Sequence, residues 1–278
     1  MLEQQGVIRI SVFVTIFLLM AAIEAWRPAR QAQIKKRVRW QANLAMVVVS
    51  ALVGRVVLPA TVVGVALWAQ SHGYGLFHQV AVPGWLVLGL SLLVLDCTIY
   101  WQHRLFHQIP LLWRLHRVHH ADSHVDTTTG LRFHPLEIAL SLFVKAAMVL
   151  ILGIPALAVL IFEVALNGFA IFNHANIRLP QAIDDKVGWF VITQRLHRIH
   201  HSQYGLETNR NFGFSVSWWD RLFKSFCARG KLTDYNLKIG QRDCPATNRN
   251  ARLWTLLVMP FKRQKTGTNS SNKQKVKQ

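Results

Sequence analysis

Three short stretches concentrate side chains that can hold a metal ion: His103-Arg-Leu-Phe-His107, His116-Arg-Val-His119-His120 and His197-Arg-Ile-His200-His201. On a helix, residues i and i+4 share a face and i+3 lies beside them, so each stretch can aim its imidazoles at one point. The sum is eight imidazoles, enough for two ions at about four to six ligands each. Imidazole accepts iron, zinc, copper and nickel. No cysteine lies near these stretches, which disfavours zinc-finger and iron–sulfur sites. There is no H-E-x-x-H for a zinc protease and no E-x-x-H of the soluble carboxylate-bridged di-iron bundles. A histidine-dominated pair of ions with open positions suits redox chemistry on dioxygen better than hydrolysis. His72 and His78 fit no such stretch and read as ordinary structural residues.

These stretches must be positioned by apolar helices. The chain has 278 residues, 51% of them hydrophobic, and a mean hydropathy of +0.23. The apolar residues are gathered into long runs. The first, Val7 to Ile23, is interrupted by Arg9. The second, Leu44 to Trp68, contains Arg55 and Pro59 and is expected to kink. The third runs from Trp85 to Trp101. A crossing needs about 20 residues. Two shorter runs, Ile138–Leu152 and Ala156–Phe172, flank Gly153-Ile154-Pro155 and read as a helical hairpin. Lys145 and Glu163 lie nine residues either side of Ile154, at one depth of that hairpin, and are expected to pair, since an unpaired intramembrane charge is expensive. The ten Trp suit membrane–water interfaces.

The net charge of +19 and pI near 10.8 point to nucleic acid or an anionic membrane. The basic residues sit between and after the apolar runs, which favours the membrane. A basic tail without interleaved aromatics or a known motif disfavours nucleic acid. Residues 27–40 are strongly basic, whereas 70–83 contain no Lys, Arg, Asp or Glu. The positive-inside rule then puts 27–40, the histidine stretches and the C-terminus in the cytoplasm. Five crossings, or three plus a re-entrant hairpin, satisfy every loop. The expected fold is all-α: a polytopic membrane helical bundle with a cytoplasmic histidine-rich helical cap. Phe261–Gln278, basic and without acids, reads as disordered chain near lipid headgroups. Cys97, Cys227 and Cys244 share no metal-site spacing and form no disulfide framework. Short loops and the lack of a retention signal at Lys277-Gln278 favour a bacterial inner membrane over the endoplasmic reticulum.

Asp96, Tyr100, His103 and His107 follow i, i+4, i+7, i+11 and share one helical face. Asp96 either receives the second N–H of a metal-bound imidazole or bonds a neighbouring helix. Arg104, Arg117 and Arg198 flank the ligands and can pair with acids or meet an acidic donor. His124, in the polar Asp122-Ser-His124-Val-Asp126, reads as a solvated loop residue.

From Asp96 to Phe226 the chain resembles the fatty acid hydroxylase / sterol desaturase superfamily of membrane di-iron enzymes. Besides the three boxes the resemblance rests on Asp96…Tyr100-Trp101-x-His103-Arg104, Leu112-Trp113, Arg132-x-His134-Pro135-x-Glu137, Phe172-Asn173-His174-Ala175-Asn176 and Trp219-Asp220-x-Leu222-Phe223. It implies three regions: an N-terminal transmembrane region (1–93), a hydroxylase-like catalytic domain (94–228) and a basic cytoplasmic tail (229–278). It also implies two Fe ions, with zinc as a possible substitute, and dioxygen. The substrate would be lipid-like and drawn from the bilayer, and the electron donor an external ferredoxin- or cytochrome-type protein. The reaction would be hydroxylation or desaturation of a C–H bond. His174 becomes a ninth ligand, with a hydrogen-bonding role as the alternative. Asn176 and Asp220 join Asp96 as polar residues behind the ligands, and His134, biased away from helix by Pro135, takes that role or a structural one. Glu207-Thr-Asn209-Arg-Asn211-Phe-Gly213 departs from the shorter Asn-Tyr-Gly-like element of relatives, leaving Asn209 and Asn211 without an assigned role. The rival readings are a membrane scaffold holding structural zinc and a metal transporter. Dioxygen consumption with a reductant separates the oxygenase from the zinc scaffold. Boxes at the membrane edge rather than at mid-bilayer disfavour the transporter.

Overall fold

The computed structural model describes residues 2–262. Helix α1 (Leu2–Trp26) is followed by α2 (Lys36–Val57) and α3 (Val62–Ser71). The run expected to kink at Pro59 is thus two helices: the chain leaves α2 at Leu58, and the Thr61 side chain restarts α3 by accepting from the Gly64 N–H at 3.2 Å. The long α4 (Gly84–Gln108) ends at Ile109, and Pro110 opens α5 (Pro110–His120), where its missing N–H is harmless. Then come α6 (Pro135–Leu152) and α7 (Ala156–His174). Gly153 closes α6 in the left-handed region at φ 68° and Pro155 precedes α7, giving the expected hairpin. Short helices complete the chain: α8 (Gln181–Val187), α9 (Gln194–His200), α10 (Gly205–Thr208), α11 (Trp218–Leu222) and α12 (Leu253–Val258). Among the described residues there are isolated β-bridges but no strand.

Five segments have the length and apolarity of membrane spans: Gly6–Trp26, Lys36–His78, Gly84–Gln108, Pro135–Leu152 and Ala156–His174. Their outer faces leave Leu18, Leu52, Val56, Phe143 and Ile151 exposed, as residues facing lipid can be. Between them α3, α4, α6 and α7 close an apolar core of Val63, Leu95, Val149, Val159 and Phe162. Lys145 Nζ meets Glu163 Oε1 at 2.9 Å, the expected intramembrane pair. Arg9 of α1 joins it, 3.0 Å from Glu163 Oε2, and so ties α1 to the hairpin.

The bundle has two unlike ends. At one, Gly75 and Gly153 pack so closely that a Cβ on either would strike backbone, which seals the uncharged 72–79 loop over the hairpin turn. At the other, the start of α2 and the ends of α1, α4 and α7 meet α5 and α9. Relative to each other, the 27–40 segment and the histidine stretches share one end, and 70–83 occupies the opposite one. Residues 229–262, grouped by charge with the tail, are packed here: Leu256 and Met259 lie under α2 and α5, and Leu237 and Ile239 against Val125. Their apolar side chains, interspersed among the basic ones, supply the reason. The rest of the expected tail, 263–278, lies outside the described residues.

Candidate metal centre

The chain dips into this end four times. Helix α4 delivers His103 and His107 on its last turns, and α5 delivers His116, His119 and His120. Helix α7 ends on His174, and α9, capped by the Thr193 side chain over the Leu196 N–H, carries His197 and His200 with His201 directly after it. The nine imidazoles form two groups, each with its candidate ligand atoms within 4.8 Å of one another. One comprises His103, His107, His116, His120 and His200; the other comprises His119, His174, His197 and His201. The eight box residues and His174 therefore come together.

The second and third boxes do not each aim at one point. His116 and His120 enter the five-histidine group while His119 crosses to the other. In the third box His197 and His201 go to the four-histidine group and His200 crosses back. Helical geometry explains this: i and i+4 are about 40° apart around the axis, whereas i+3 lies about 60° off on the other side of i. One H-x-x-H-H box thereby contributes to both groups and links them.

The residues fit a pair of metal ions. In the four-histidine group Nε2 of His174 lies 3.1 Å from Nε2 of His119 and 2.8 Å from Nε2 of His197, and His201 Nε2 is 3.1 Å from His197 Nε2. Neighbouring ligands at right angles around an ion with bonds of about 2.1 Å would be about 3.0 Å apart. In the five-histidine group His103 Nε2 and His116 Nε2 are 3.1 Å apart. Nε2 of His107, His120 and His200 is buried with no hydrogen-bond partner in the protein, an arrangement that native interiors avoid unless something else binds there. Burial, reinforced by neighbouring imidazoles, holds His119, His120, His197 and His201 far below the usual imidazole range, and His200 at about 3. They are neutral at physiological pH, the form that donates a lone pair to a metal.

The outer nitrogens set the tautomers. His103 Nδ1 donates to the Phe212 carbonyl at 2.7 Å, His200 Nδ1 to the Arg210 carbonyl at 2.8 Å and His174 Nδ1 to the Ala170 carbonyl at 2.7 Å. His116 Nδ1 meets Glu137 Oε1 at 2.6 Å. Nδ1 of His119, His197 and His201 has no such partner. Gly130 lets the Thr129–Leu131 turn pass α7: a Cβ there would lie 2.5 Å from the Ala170 oxygen and 3.3 Å from His174 Nδ1.

Asp96, His134, Asn176 and Asp220 hydrogen-bond to none of the nine imidazoles, and His134 takes the structural alternative. Asp96 accepts from Trp219 Nε1 at 2.8 Å, since its position on α4 faces α11 rather than an imidazole. His134 caps α6, accepting from the Leu136 N–H and reaching the Leu257 carbonyl; the following proline keeps it out of the helix. Asn176 brackets Arg30, accepting from its N–H and donating to its carbonyl, and lies 3.3 Å from His124 Nε2. Asp220 acts one step removed: it accepts from the Phe212 and Gly213 N–H groups, and the Phe212 carbonyl receives His103. Burial pushes Asp220 up to about 6, against the pull of the Ser225 hydroxyl and those two N–H groups.

Glu137 is the carboxylate that does reach a ligand. In the sequence it stands only as part of the Arg132-x-His134-Pro135-x-Glu137 resemblance, without a role, because an acid three residues after a cap is the ordinary signature of a capped helix. His124 is buried rather than solvated; burial, then the Arg39 charge, hold it at about 4. Arg39 explains the burial: it bonds Asp122 at 2.7 Å and Asp126 at 2.7 Å, folding the loop onto α2. Asn211, at φ 53°, clamps the Leu196 and Cys227 carbonyls, whereas Asn209 stays exposed. Arg117 pairs with Asp243 and Arg198 with Asp234.

Two aromatic rings border both groups. Phe133 stacks on His119 at 4.3 Å between centroids and lies 6.2 Å from His116. Phe214 is 5.7 Å from His103, 6.5 Å from His197 and 6.1 Å from Phe133. Phe214 also packs on the transmembrane core, so this pair separates the histidines from the apolar interior.

Residues 88–225, about half of the chain, match the family model described as fatty acid hydroxylase. The chain is similar to the ornithine lipid hydroxylase OlsE of Rhizobium tropici, with 30% identity over 60% of this chain and 48% of the relative. It is similar to alkylglycerol monooxygenase of Xenopus tropicalis, 26% identical over 53% and 32% of the two chains. To the putative Delta(7)-sterol-C5(6)-desaturase 2 of Arabidopsis thaliana it is 28% identical over 50% and 48%. The matched part thus spans about half or less of these relatives. No solved structure matches. All nine clustered histidines, Glu137 and both bordering phenylalanines fall inside the family match, and the chain belongs to the fatty acid hydroxylase / sterol desaturase superfamily.

Proposed function

We propose that this protein is a membrane di-iron oxygenase that oxidises a C–H bond of a lipid or sterol-like substrate. The convergence of nine imidazoles, eight of them buried and His107 half-buried, into two groups beside an apolar core carries the reading. His103, His107, His116, His120 and His200 would hold one iron, and His119, His174, His197 and His201 the other. Bound there, iron supplies dioxygen activation, with zinc able to occupy the same nitrogens. For hydroxylation the balance is R–H + O2 + two electrons + two protons giving R–OH + H2O, so an external donor is required.

The protein's own part is positional. Glu137 and the carbonyls of Phe212, Arg210 and Ala170 fix which nitrogen of each ring faces inward. Phe133 and Phe214 exclude water and form the wall against which a hydrocarbon chain would lie after entering laterally from the bilayer. Sidedness follows from the basic end: the histidine end would face the cytoplasm, in a bacterial inner membrane. The test is metal content of detergent-purified protein expressed with iron, beside His119→Ala and His200→Ala, followed by dioxygen uptake with a chemical reductant and a lipid panel. Two irons per chain, lowered in both variants, with reductant-dependent uptake, supports the reading. Zinc alone after anaerobic iron reconstitution, with no uptake, overturns it in favour of a structural-zinc or metal-transport protein.

A further inference from the structure

A groove outside the metal centre borders it through Arg117 of α5. Its volume is about 760 Å³, and Arg117, Asp243, Arg249, Arg252, Trp254 and Lys262 are among its lining residues. Asp243 is the one acid of the lining and is taken up by Arg117, 2.6 Å away. Arg249, Arg252 and Lys262 are exposed and make no ion pair among the described residues. Trp254 stands on the lining with 73% of its surface exposed, the kind of aromatic anchor that protein interfaces use.

What distinguishes this groove from the chain's other basic surfaces is its floor. Arg117 is 5% exposed and sits on α5 between His116 and the His119-His120 pair. The strip from Ile239 to Asp243 touches both boxes. Gly240 N–H donates to the His201 carbonyl at 3.2 Å, Gln241 accepts from Arg117 Nε at 3.2 Å, and Ser202 bridges to Ile239. Arg114 holds the far wall by donating to the Pro260 carbonyl at 2.6 Å. A body seated in the groove is therefore one residue of covalent chain from His116, through Arg117, and connects to the third box through the Arg117–Gln241 and Gly240–His201 hydrogen bonds. An anionic lipid headgroup would be served equally by the exposed basic residues near 27–37; nothing in such a role calls for contact with the ligand-bearing segments.

We infer that this groove docks an acidic, one-electron redox protein of the iron–sulfur or haem class. Two such carriers, each oxidised by one electron, would deliver the two electrons of a turnover through the Arg117 and Gly240–Gln241 contacts. Charge complementarity of this kind raises association rate and fixes orientation, and it weakens with salt. The inference rests on the oxygenase reading.

The experiment uses full-length, iron-loaded protein in detergent. Binding of an acidic plant-type ferredoxin and of the acidic haem domain of a b5-type cytochrome is titrated at low and high salt. Wild type is compared with Arg249→Glu/Arg252→Glu/Lys262→Glu and with a control, Arg27→Glu/Arg37→Glu, whose residues are equally exposed. Iron content and dithionite reduction of the centre are measured on all three. The expected result is a Kd at least tenfold weaker for the groove variant with one or both probes. The control's Kd should stay within about twofold, and iron and dithionite reduction should be unchanged in all. Equal weakening in the control, or groove-independent binding of both probes, overturns the docking site while leaving the oxygenase reading intact. Loss of binding to phosphatidylglycerol vesicles by the groove variant, with donor binding unchanged, reassigns the groove to lipid. A centre that dithionite cannot reduce in any of the three overturns both readings.

Discussion

On the proposed di-iron reading, replacing Glu137 by alanine should weaken one of two bound irons and spare the other. The carboxylate lies 2.6 Å from His116 Nδ1, and both side chains are buried. Hydrogen bonds to a charged group contribute about 1.5–3 kcal/mol, and the variant would leave a buried N–H unpaired. At about 1.4 kcal/mol per factor of ten, that is roughly 10–100-fold in affinity, the range in which removing a ligand's outer partner usually falls. The loss should be confined to the five-histidine group, because Glu137 bonds His116, whereas His119 Nδ1, in the neighbouring member of the other group, has no hydrogen-bond partner. Elemental analysis after titration with a graded chelator should show Glu137→Ala releasing one ion at roughly 10–100-fold lower chelator strength than wild type and the second unchanged. Glu137→Gln, which keeps a hydrogen bond without the charge, should fall between. Circular dichroism controls for folding. Parallel loss of both ions, or a release curve that overlays wild type, would refute the assignment of His116 and Glu137 to one of two separable centres.

Other expectations follow from the same geometry. His103→Ala and His174→Ala should each lower iron toward one per chain, by different groups, so the double variant should retain almost none; equal loss of both ions in either single variant speaks against two groups. Arg9→Met with Lys145→Met removes both cations from Glu163 and should lower thermal stability in detergent by about 3–5 kcal/mol by stranding it, and adding Glu163→Leu should recover much of it; additive losses would contradict the pairing. Asp220, raised to about 6, binds its proton more tightly when folded, so its contribution is complete below about pH 3.8 and is lost as pH rises through 6. Asp220→Asn should therefore flatten the fall in melting temperature between pH 4 and 7, whatever its absolute stability; an unchanged slope rejects this. Phe214→Trp should narrow the apolar approach and cut lipid oxidation several-fold with iron content intact, and loss of iron would instead mark Phe214 as a support of the ligands.

Much of this molecule was legible from residue type and spacing. Apolar runs of spanning length, broken at Pro59 and Gly153, give the helices, because a buried backbone in lipid must satisfy itself within one segment. The Lys145–Glu163 pair followed from symmetric placement about a hairpin turn. Eight of the nine histidines were found because imidazoles at i, i+3 and i+4 are rare and purposeful, and the ninth, His174, through the family resemblance. What the spacing could not say is which ring serves which ion. His119 and His200 cross between groups because of how α5 and α9 are rotated against each other, and rotation is set by packing. Partners behind the ligands were equally hidden. Three are backbone carbonyls, which every residue possesses, and the fourth, Glu137, is separated from His116 by a loop whose path depends on Arg39 of another helix. Asp96 shared a helical face with His103 and His107, yet its carboxylate turned to Trp219, because a shared face fixes direction and not the neighbour waiting there. The sequence by itself determined the elements and the chemistry they carry, since both depend on local periodicity and side-chain type. Only the tertiary structure decided the division into two centres, the partners of each imidazole and the groove beside Arg117, since these depend on contacts between segments far apart in the chain.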